Sequence, residues 1–120
     1  MNRKNAFVNA FHGIRAAFRD ERNFRIHAVV ALLALLTGYY LRLSTTEWLW
    51  VSLAIAMVMA AELINTAIEA LFDFVSPGEH PLAKKAKDTA AAAVLIAAVF
   101  ALVVGLVIFG PKLSRQLFHE

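Results

Sequence analysis

The 120-residue chain contains no cysteine, five glycines and three prolines. The lack of cysteine excludes disulfide bonds and metal sites built on thiolate ligands. The sequence also contains neither a Walker A motif nor the glycine-rich loop of protein kinases. Charged residues are missing from Thr89 to Gly110, about 22 residues, which is enough for an α-helix to cross a bilayer. If the chain handles nucleotides, it does so without the usual motifs of soluble kinases.

Apolar residues make up 60% of the chain, and the mean hydropathy is +0.62, well above the composition of ordinary globular domains. Three apolar stretches predict membrane-spanning helices over residues 25–43, 48–75 and 87–109. The first is short, but it reaches about 20 residues if Arg25 and Arg42 extend their charged ends to the two interfaces. We therefore expect an all-α membrane protein with three transmembrane helices.

Lysine and arginine are distributed unevenly around these spans. Six precede His27 and three lie between the second and third spans, whereas one lies between the first and second and two follow Phe109. Cytoplasmic loops of membrane proteins carry an excess of such residues. The charged opening also lacks the early apolar core of a signal peptide. We expect the amino terminus and the loop 76–86 in the cytoplasm, and the carboxyl terminus outside.

Residues 1–24 predict a separate amphipathic helix. Four apolar side chains fall within about 60° of one another on a helix, namely Phe7, Phe11, Ile14 and Phe18. Arg15 and Arg19 flank this apolar stripe. The pattern favours a helix on the cytoplasmic leaflet, with its arginines near lipid phosphates. Packing of the same helix against the spans is an alternative that is compatible with this position.

Four polar residues interrupt the second span: Glu62, Asn65, Glu69 and Asp73. On a helix they share one stripe about 80° wide, and the opposite face is apolar. The spacing predicts that Glu69 and Asp73 lie at the cytoplasmic surface, with Glu62 about 10 Å deeper. Lys87 and Asp88 begin the third span at the same level. The result is a cluster of carboxylates with a lysine at one membrane face.

Pairing between helices does not explain so many acids. An ionisable group near the bilayer centre costs about 2.5 kcal/mol or more, whereas interhelical hydrogen bonds contribute about 0.6 kcal/mol on average. Carboxylates without thiolates suit Mg²⁺, which takes one or two carboxylates together with substrate phosphates. Phosphoryl transfer needs mainly positioning and electrostatic stabilisation, which a small chain can supply. The stripe therefore favours phosphoryl transfer.

A proton or ion pathway is the competing interpretation, because an intramembrane acid is its usual marker. Between about Ala28 and Ala61, however, the only ionisable carboxylate or basic residues are Arg42 and Glu47 in the first loop. No relay therefore continues towards the outer side. A purely structural membrane protein would leave the acidic stripe unexplained.

Three segments resemble the prokaryotic diacylglycerol kinase family of small membrane lipid kinases: RDERNFRIHA at 19–28, AELINTAIEALFDF at 61–74 and HPLAKKAKDTAAAAV at 80–94. The resemblance runs from about Phe7 to Phe109. Its most specific part is the spacing E-x-x-N-x-x-x-E followed by A-K-D. ERNFRIH and HPLAKKAKD are most similar to the branch of Gram-positive bacteria that phosphorylates undecaprenol.

The resemblance implies a homotrimer in the bacterial plasma membrane, with active sites shared between neighbouring chains. It implies transfer of the γ-phosphoryl group of ATP, with Mg²⁺, to a lipid hydroxyl at the cytoplasmic face. Undecaprenol is the expected acceptor and diacylglycerol is the alternative. No nucleic-acid partner is expected.

The resemblance also implies roles for individual residues. Glu62 matches the general base, and Glu21 and Glu69 match the carboxylates that hold the metal. The nucleotide is expected to contact Glu21, Glu69, Gly78, Glu79, His80, Lys87 and Asp88. The lipid substrate is expected to contact Glu62, Asn65, Ala91 and Arg15. Asp73 shares the polar face without an assigned role, and His27 is interpreted as an interfacial residue at the mouth of the first span.

Overall fold

The computed structural model describes residues 3–118, which form four α-helices and no strand. They are α1 (Arg3–Asp20), α2 (Arg22–Leu41), α3 (Thr45–Val75) and α4 (Pro81–Phe118). Within this described part, α2, α3 and α4 are each long and apolar enough to cross a membrane. The prediction of an all-α protein with three spans is confirmed.

A sharp break at Glu21 separates α1 from α2. The backbone of Glu21 is extended, with φ −112° and ψ 109°. The Arg25 guanidinium donates hydrogen bonds from Nη1 to the carbonyl oxygens of Phe18 (2.9 Å) and Arg19 (2.8 Å). These carbonyls belong to the last turn of α1, where no backbone partner is available. Arg25 therefore caps α1 from the first turn of α2.

Residues 42–44 connect α2 to α3, and both of the adjoining helix ends are capped. Arg42 adopts the left-handed conformation (φ 56°, ψ 60°), and the following N–H of Leu43 donates to the carbonyl of Gly38, a common way of ending a helix. Ser44 and Glu47 then form a capping box at the start of α3. The tight turn makes α2 and α3 antiparallel neighbours.

The buried core is small and lies mainly between α3 and α4, near the start of α3, where the short turn connects it to α2. Leu43, Val51, Ala54, Val104 and Ile108 form its centre. Large apolar side chains elsewhere on the spans are exposed, as expected where lipid chains or other subunits cover them. The bilayer therefore takes the place of much of the core that a soluble protein would need.

The helices differ in extent from the predicted segments. α4 has 38 residues, so it is about 57 Å long and extends past the predicted span 87–109 at both ends. It begins at Pro81, a residue favoured in the first turn of a helix. The loop between α3 and α4 is consequently reduced to residues 76–80. α1 ends at Asp20, before the predicted limit at residue 24, because Arg25 caps it there.

Candidate active site

Glu62 is the only charged side chain that is buried among residues 5–118, with 4% of its surface exposed. It lies on α3, on the face that is packed against α2. His27 of α2 places its Nε2 atom 3.2 Å from Oε1 of Glu62. The histidine side chain is 28% exposed. The pair thus joins a buried carboxylate to a partly exposed imidazole.

Asn65 and Glu69 follow Glu62 along the same face of α3. The Nδ2 atom of Asn65 donates a hydrogen bond to Oε1 of Glu69, at 3.2 Å. Both side chains are half-buried. The Oδ1 atom of Asn65 is buried and has no hydrogen-bond partner. A carboxylate and an unpartnered amide oxygen therefore lie within one helical turn of each other.

Asp73 and Lys87 close the stripe at the end of α3. The Lys87 ammonium group donates a hydrogen bond to Oδ1 of Asp73, which ties α3 to the first turns of α4. Lys87 is about one-third exposed, and Asp73 is exposed. Asp88 is the neighbour of Lys87, but it pairs with Lys84 one turn earlier in α4. The predicted nucleotide pair of Lys87 and Asp88 is thus bonded to two different partners.

The other predicted site residues take no part in the hydrogen bonds and ion pairs of this stripe. Glu21 is half-buried at the junction of α1 and α2, and Gly78 and Glu79 are exposed in the loop 76–80. Nδ1 of His80 accepts a hydrogen bond from the backbone N–H of Leu82 at the start of α4. Arg15 and Ala91 are exposed on α1 and α4. In the part of the chain that the structure describes, no hydrogen bond or ion pair connects these six residues to the stripe.

Arg15 and Arg19, the two arginines predicted to flank the apolar stripe of the surface helix, differ in their bonding. Arg19 donates from Nε to Oδ1 of Asp20 at 2.8 Å, and this hydrogen bond holds the pKa of Asp20 below its usual value. Arg15 is exposed, as are the aromatic side chains of the apolar stripe on α1, including Phe7 and Phe11. Arg15 is therefore the better placed of the two to meet a phosphate group.

The oxygen atoms of the stripe suit a hard cation. Glu69 supplies a carboxylate, and the orphaned Oδ1 of Asn65 points to a missing donor or cation beside it. Residues 3–118 contain no group of three or more histidine and acidic side chains arranged to hold a metal ion. The residues therefore fit Mg²⁺ bound by one or two carboxylates and completed by other ligands, rather than a cage made only of protein side chains.

An apolar groove of about 550 Å³ begins beside His27 and runs along the spans to Leu113. α3 supplies Val51 and Val58 to this groove, and α4 supplies Ala101. A second groove, of about 710 Å³, lies between α3 and α4 and carries Lys85 and Thr89 at its polar end. Only the first groove has a member of the Glu62 pair in its lining. Ala91 lines neither groove.

His27 is the site residue to which sequence reasoning assigns no chemistry. A usable signal was nevertheless present in the sequence. His27 lies five residues after the start of α2, about 7.5 Å along the helix, and Glu62 lies about 10 Å from Glu69. Because α2 and α3 are antiparallel, the start of α2 and the end of α3 lie at the same membrane face. His27 and Glu62 therefore lie at similar depths below that face. The rotation that turns them towards each other depends on packing.

Similarity to known proteins extends over most of the chain. Residues 8–109 match the model of a family described as prokaryotic diacylglycerol kinase. The chain is 46% identical over 108 residues to the undecaprenol kinase of Bacillus subtilis (strain 168), covering 90% of this chain and 88% of that protein. It is 41% identical over 101 residues to the diacylglycerol kinase of Synechocystis sp. (strain ATCC 27184 / PCC 6803 / Kazusa), covering 83% of this chain and 58% of that protein.

A more distant relative is the diacylglycerol kinase of Escherichia coli (strain K12). The identity is 35% over 94 residues, which cover 78% of this chain and 77% of that protein. The matched family region includes the buried Glu62, the Asn65–Glu69 hydrogen bond and the Asp73–Lys87 pair. The geometry and the similarity therefore concern the same part of the chain.

Proposed function

The chain belongs to the prokaryotic diacylglycerol kinase family, and we propose that it is a lipid kinase that phosphorylates the hydroxyl group of undecaprenol with ATP at the cytoplasmic face of a bacterial membrane. The observation that supports the reaction is Glu62, a carboxylate that is buried on one of three helices long and apolar enough to cross a membrane. The identity of 46% with an undecaprenol kinase supports the acceptor. Undecaprenol presents its single hydroxyl group at the end of an apolar chain, which suits a base below the membrane surface.

Glu62 acts as the general base in this proposal. It takes the proton of the lipid hydroxyl, the hydroxyl oxygen forms a bond to the γ-phosphorus of ATP, and the bond from that phosphorus to the β–γ bridging oxygen breaks, which releases ADP. A general base must lie within hydrogen-bond reach of the proton that it removes. The position of Glu62 within an apolar helix supports a membrane lipid, rather than a soluble alcohol, as the source of the hydroxyl group.

Glu69 holds Mg²⁺ in the proposal, with Glu21 as a second carboxylate. The bound ion would neutralise charge on the phosphates of the nucleotide. Asn65 holds one oxygen of Glu69 by its amide group and so fixes the orientation of the carboxylate. Phosphate oxygens, water or a carboxylate of a neighbouring chain would complete the coordination. Glu69 lies about 10 Å closer to the cytoplasm than Glu62, as expected if the nucleotide stays in water and the lipid stays in the membrane.

The nucleotide lies, in this proposal, against the loop 76–80 and the first turns of α4. Lys87 supplies positive charge to the phosphates, and Asp73 holds the lysine beside the stripe. Gly78, Glu79 and His80 border the same space, and Asp88 completes the nucleotide contacts. Arg15 and Ala91 are assigned to the lipid, Arg15 because an exposed guanidinium on the surface helix suits a phosphate of the product or of a neighbouring lipid.

The assembly and orientation are parts of the same proposal. We infer a homotrimer with the amino terminus in the cytoplasm and with active sites completed by neighbouring chains. The family resemblance supports the trimer. In addition, only 17%, 22% and 17% of the most apolar 18-residue segment of each candidate span are buried within one chain, which leaves surface for neighbouring chains. The distribution of lysine and arginine supports the orientation. Light scattering of the purified protein in detergent measures the number of chains directly.

Diacylglycerol is the second candidate acceptor. The family description and the relatives from Synechocystis and Escherichia coli carry the name diacylglycerol kinase. Diacylglycerol also places one hydroxyl group at the membrane surface. The residues of the stripe serve either acceptor, because the transferred group and the base are the same.

The proposal is tested with purified protein in lipid bicelles, by following transfer of a radiolabelled γ-phosphate from ATP to undecaprenol. We expect transfer that requires Mg²⁺ and is lost in Glu62→Gln. Glu47→Gln is the matched control, because Glu47 lies in a capping box in the first turn of the same helix, and this variant should keep its activity. Failure of the folded wild-type protein to phosphorylate either lipid would refute the proposed function.

A further inference from the structure

The contact between His27 and Glu62 assigns a role to a residue outside the proposed set of base, metal and nucleotide ligands. Nε2 of His27 lies 3.2 Å from Oε1 of Glu62, the distance of an ion pair rather than of an aligned hydrogen bond. In the part of the chain that the structure describes, the carboxylate of Glu62 has no hydrogen bond and no other ion pair. Within residues 3–118, the only polar side chain paired with this buried carboxylate is therefore the imidazole of His27.

A buried carboxylate needs such a partner for two reasons. Removing its charge from water costs free energy that only hydrogen bonds or an opposite charge can offset. In addition, a glutamate has three rotatable side-chain bonds, so an unrestrained carboxylate spends part of its time turned away from the substrate. A displacement of about 1 Å at a reacting group can lower a rate about 100-fold. Restraint of Glu62 is therefore expected to matter for the rate.

We propose that His27 is a positioning residue: a small rotation of its imidazole lets Nε2–H donate to Oε1 of Glu62 and leaves Oε2 to take the proton of the lipid hydroxyl. This inference rests on the proposed function, because it assumes that Glu62 is the base. His27 also lines the beginning of the apolar groove that runs to Leu113. The imidazole of His27 therefore contacts Glu62 and also borders the apolar groove.

The position of His27 on α2 makes the restraint rigid. The preceding turn of α2 is anchored by Arg25, which caps α1, and by the buried ring of Phe24. The imidazole is 28% exposed, so the chain itself packs it on several sides. A side chain on such a support holds its partner more firmly than one in a loop.

Two substitutions separate the hydrogen bond from packing. His27→Gln keeps an N–H donor at a similar reach, whereas His27→Leu keeps apolar bulk and removes the donor. Thr37→Val is the matched control, because Thr37 lies on the same helix and lines the same groove. Undecaprenol phosphorylation is measured for all of them in bicelles, with kcat and the KM for MgATP determined separately.

We expect kcat of His27→Leu to fall about 100-fold while its KM for MgATP stays within about twofold, and we expect His27→Gln to recover most of the loss. Thr37→Val should match the wild type. Solid-state NMR of protein labelled at histidine gives a second readout, since the hydrogen-bonded Nε2–H signal should change in Glu62→Leu. This readout does not depend on activity.

Two kinetic outcomes overturn the inference: a His27→Leu variant with the kcat of the wild type, or a His27→Gln variant as impaired as His27→Leu. An Nε2–H signal that is unchanged in Glu62→Leu overturns it as well. If the wild-type protein phosphorylates undecaprenol in these experiments, the proposed function stands and only the role of His27 fails. A folded wild type that phosphorylates neither lipid removes both.

Discussion

The side-chain amide of Asn65 donates a hydrogen bond to Glu69, one helical turn further along α3, while the side-chain oxygen Oδ1 of Asn65 remains buried without a partner. The amide thus restrains one oxygen of the carboxylate and adds a second oxygen beside it. A bound cation, or a water molecule on that cation, would satisfy the unpartnered atom. This arrangement is the local basis for assigning the metal to Glu69.

The first prediction concerns Glu69→Gln. The amide is nearly isosteric with the carboxylate but lacks its charge, so the proposed Mg²⁺ site loses a ligand and phosphorylation of undecaprenol should become undetectable. The Asn65 side chain can still donate to the amide oxygen, and the thermal unfolding midpoint in detergent should stay close to that of the wild type. A folded Glu69→Gln protein with full activity would contradict the metal assignment.

The second prediction concerns Lys87 and Asp73. Ion pairs at exposed sites contribute about 0–1 kcal/mol, so Asp73→Asn should raise the KM for MgATP by at most about fivefold. Lys87→Met removes the charge proposed to meet the phosphates and should raise the same KM more than tenfold, because hydrogen bonds to charged groups contribute about 1.5–3 kcal/mol. Lys85→Met is the matched control, an exposed lysine two residues earlier. Equal KM values for Lys87→Met and Lys85→Met would exclude the proposed role.

The third prediction concerns the orientation of the chain in the membrane. Because the chain contains no cysteine, a single introduced cysteine is the only thiol that can be labelled. A single cysteine at Gly78, in the exposed loop 76–80, should react with a membrane-impermeant maleimide only after the cells are opened. A single cysteine at the exposed Thr46, at the start of α3, should react in intact cells. The reverse labelling pattern would place the amino terminus outside and remove the nucleotide from the proposed site.

The fourth prediction concerns the turn between α2 and α3. A Cβ atom added at Gly38 would lie 2.8 Å from the Trp48 ring and 2.9 Å from a methyl carbon of Leu43. Because such overpacking typically costs about 1–3 kcal/mol, Gly38→Ala should lower the free energy of unfolding in detergent by that amount. Gly105→Ala is the control, because nothing lies within 4 Å of the added atom. Equal stabilities of the two variants would contradict the close packing at Gly38.

The polar stripe and the three spans could be predicted from the sequence because both depend on local periodicity. Glu62, Asn65 and Glu69 recur at the spacing of one helix face, and any straight helix brings them into line. The Asn65–Glu69 hydrogen bond is a contact of this local type. The apolar stretches are likewise a property of consecutive residues.

Contacts between helices could not be predicted in the same way. The His27–Glu62 contact requires the rotation of α2 about its own axis, and the Asp73–Lys87 pair requires the path of the loop 76–80. α4 is longer than the predicted span 87–109 because the bilayer criterion counts uncharged residues, whereas backbone hydrogen bonding continues beyond the apolar part. The end of α1 depends on Arg25, whose reach back to Phe18 has no sequence motif.

The most direct test of the central claim is a competition in which undecaprenol and diacylglycerol are present together in the same bicelles with Mg²⁺ and labelled ATP. We predict that most of the label enters undecaprenol at equal concentrations of the two lipids, and that Glu62→Gln transfers label to neither. Preferential labelling of diacylglycerol would contradict the proposed acceptor. Labelling by Glu62→Gln at the wild-type rate would contradict the account of the active site itself.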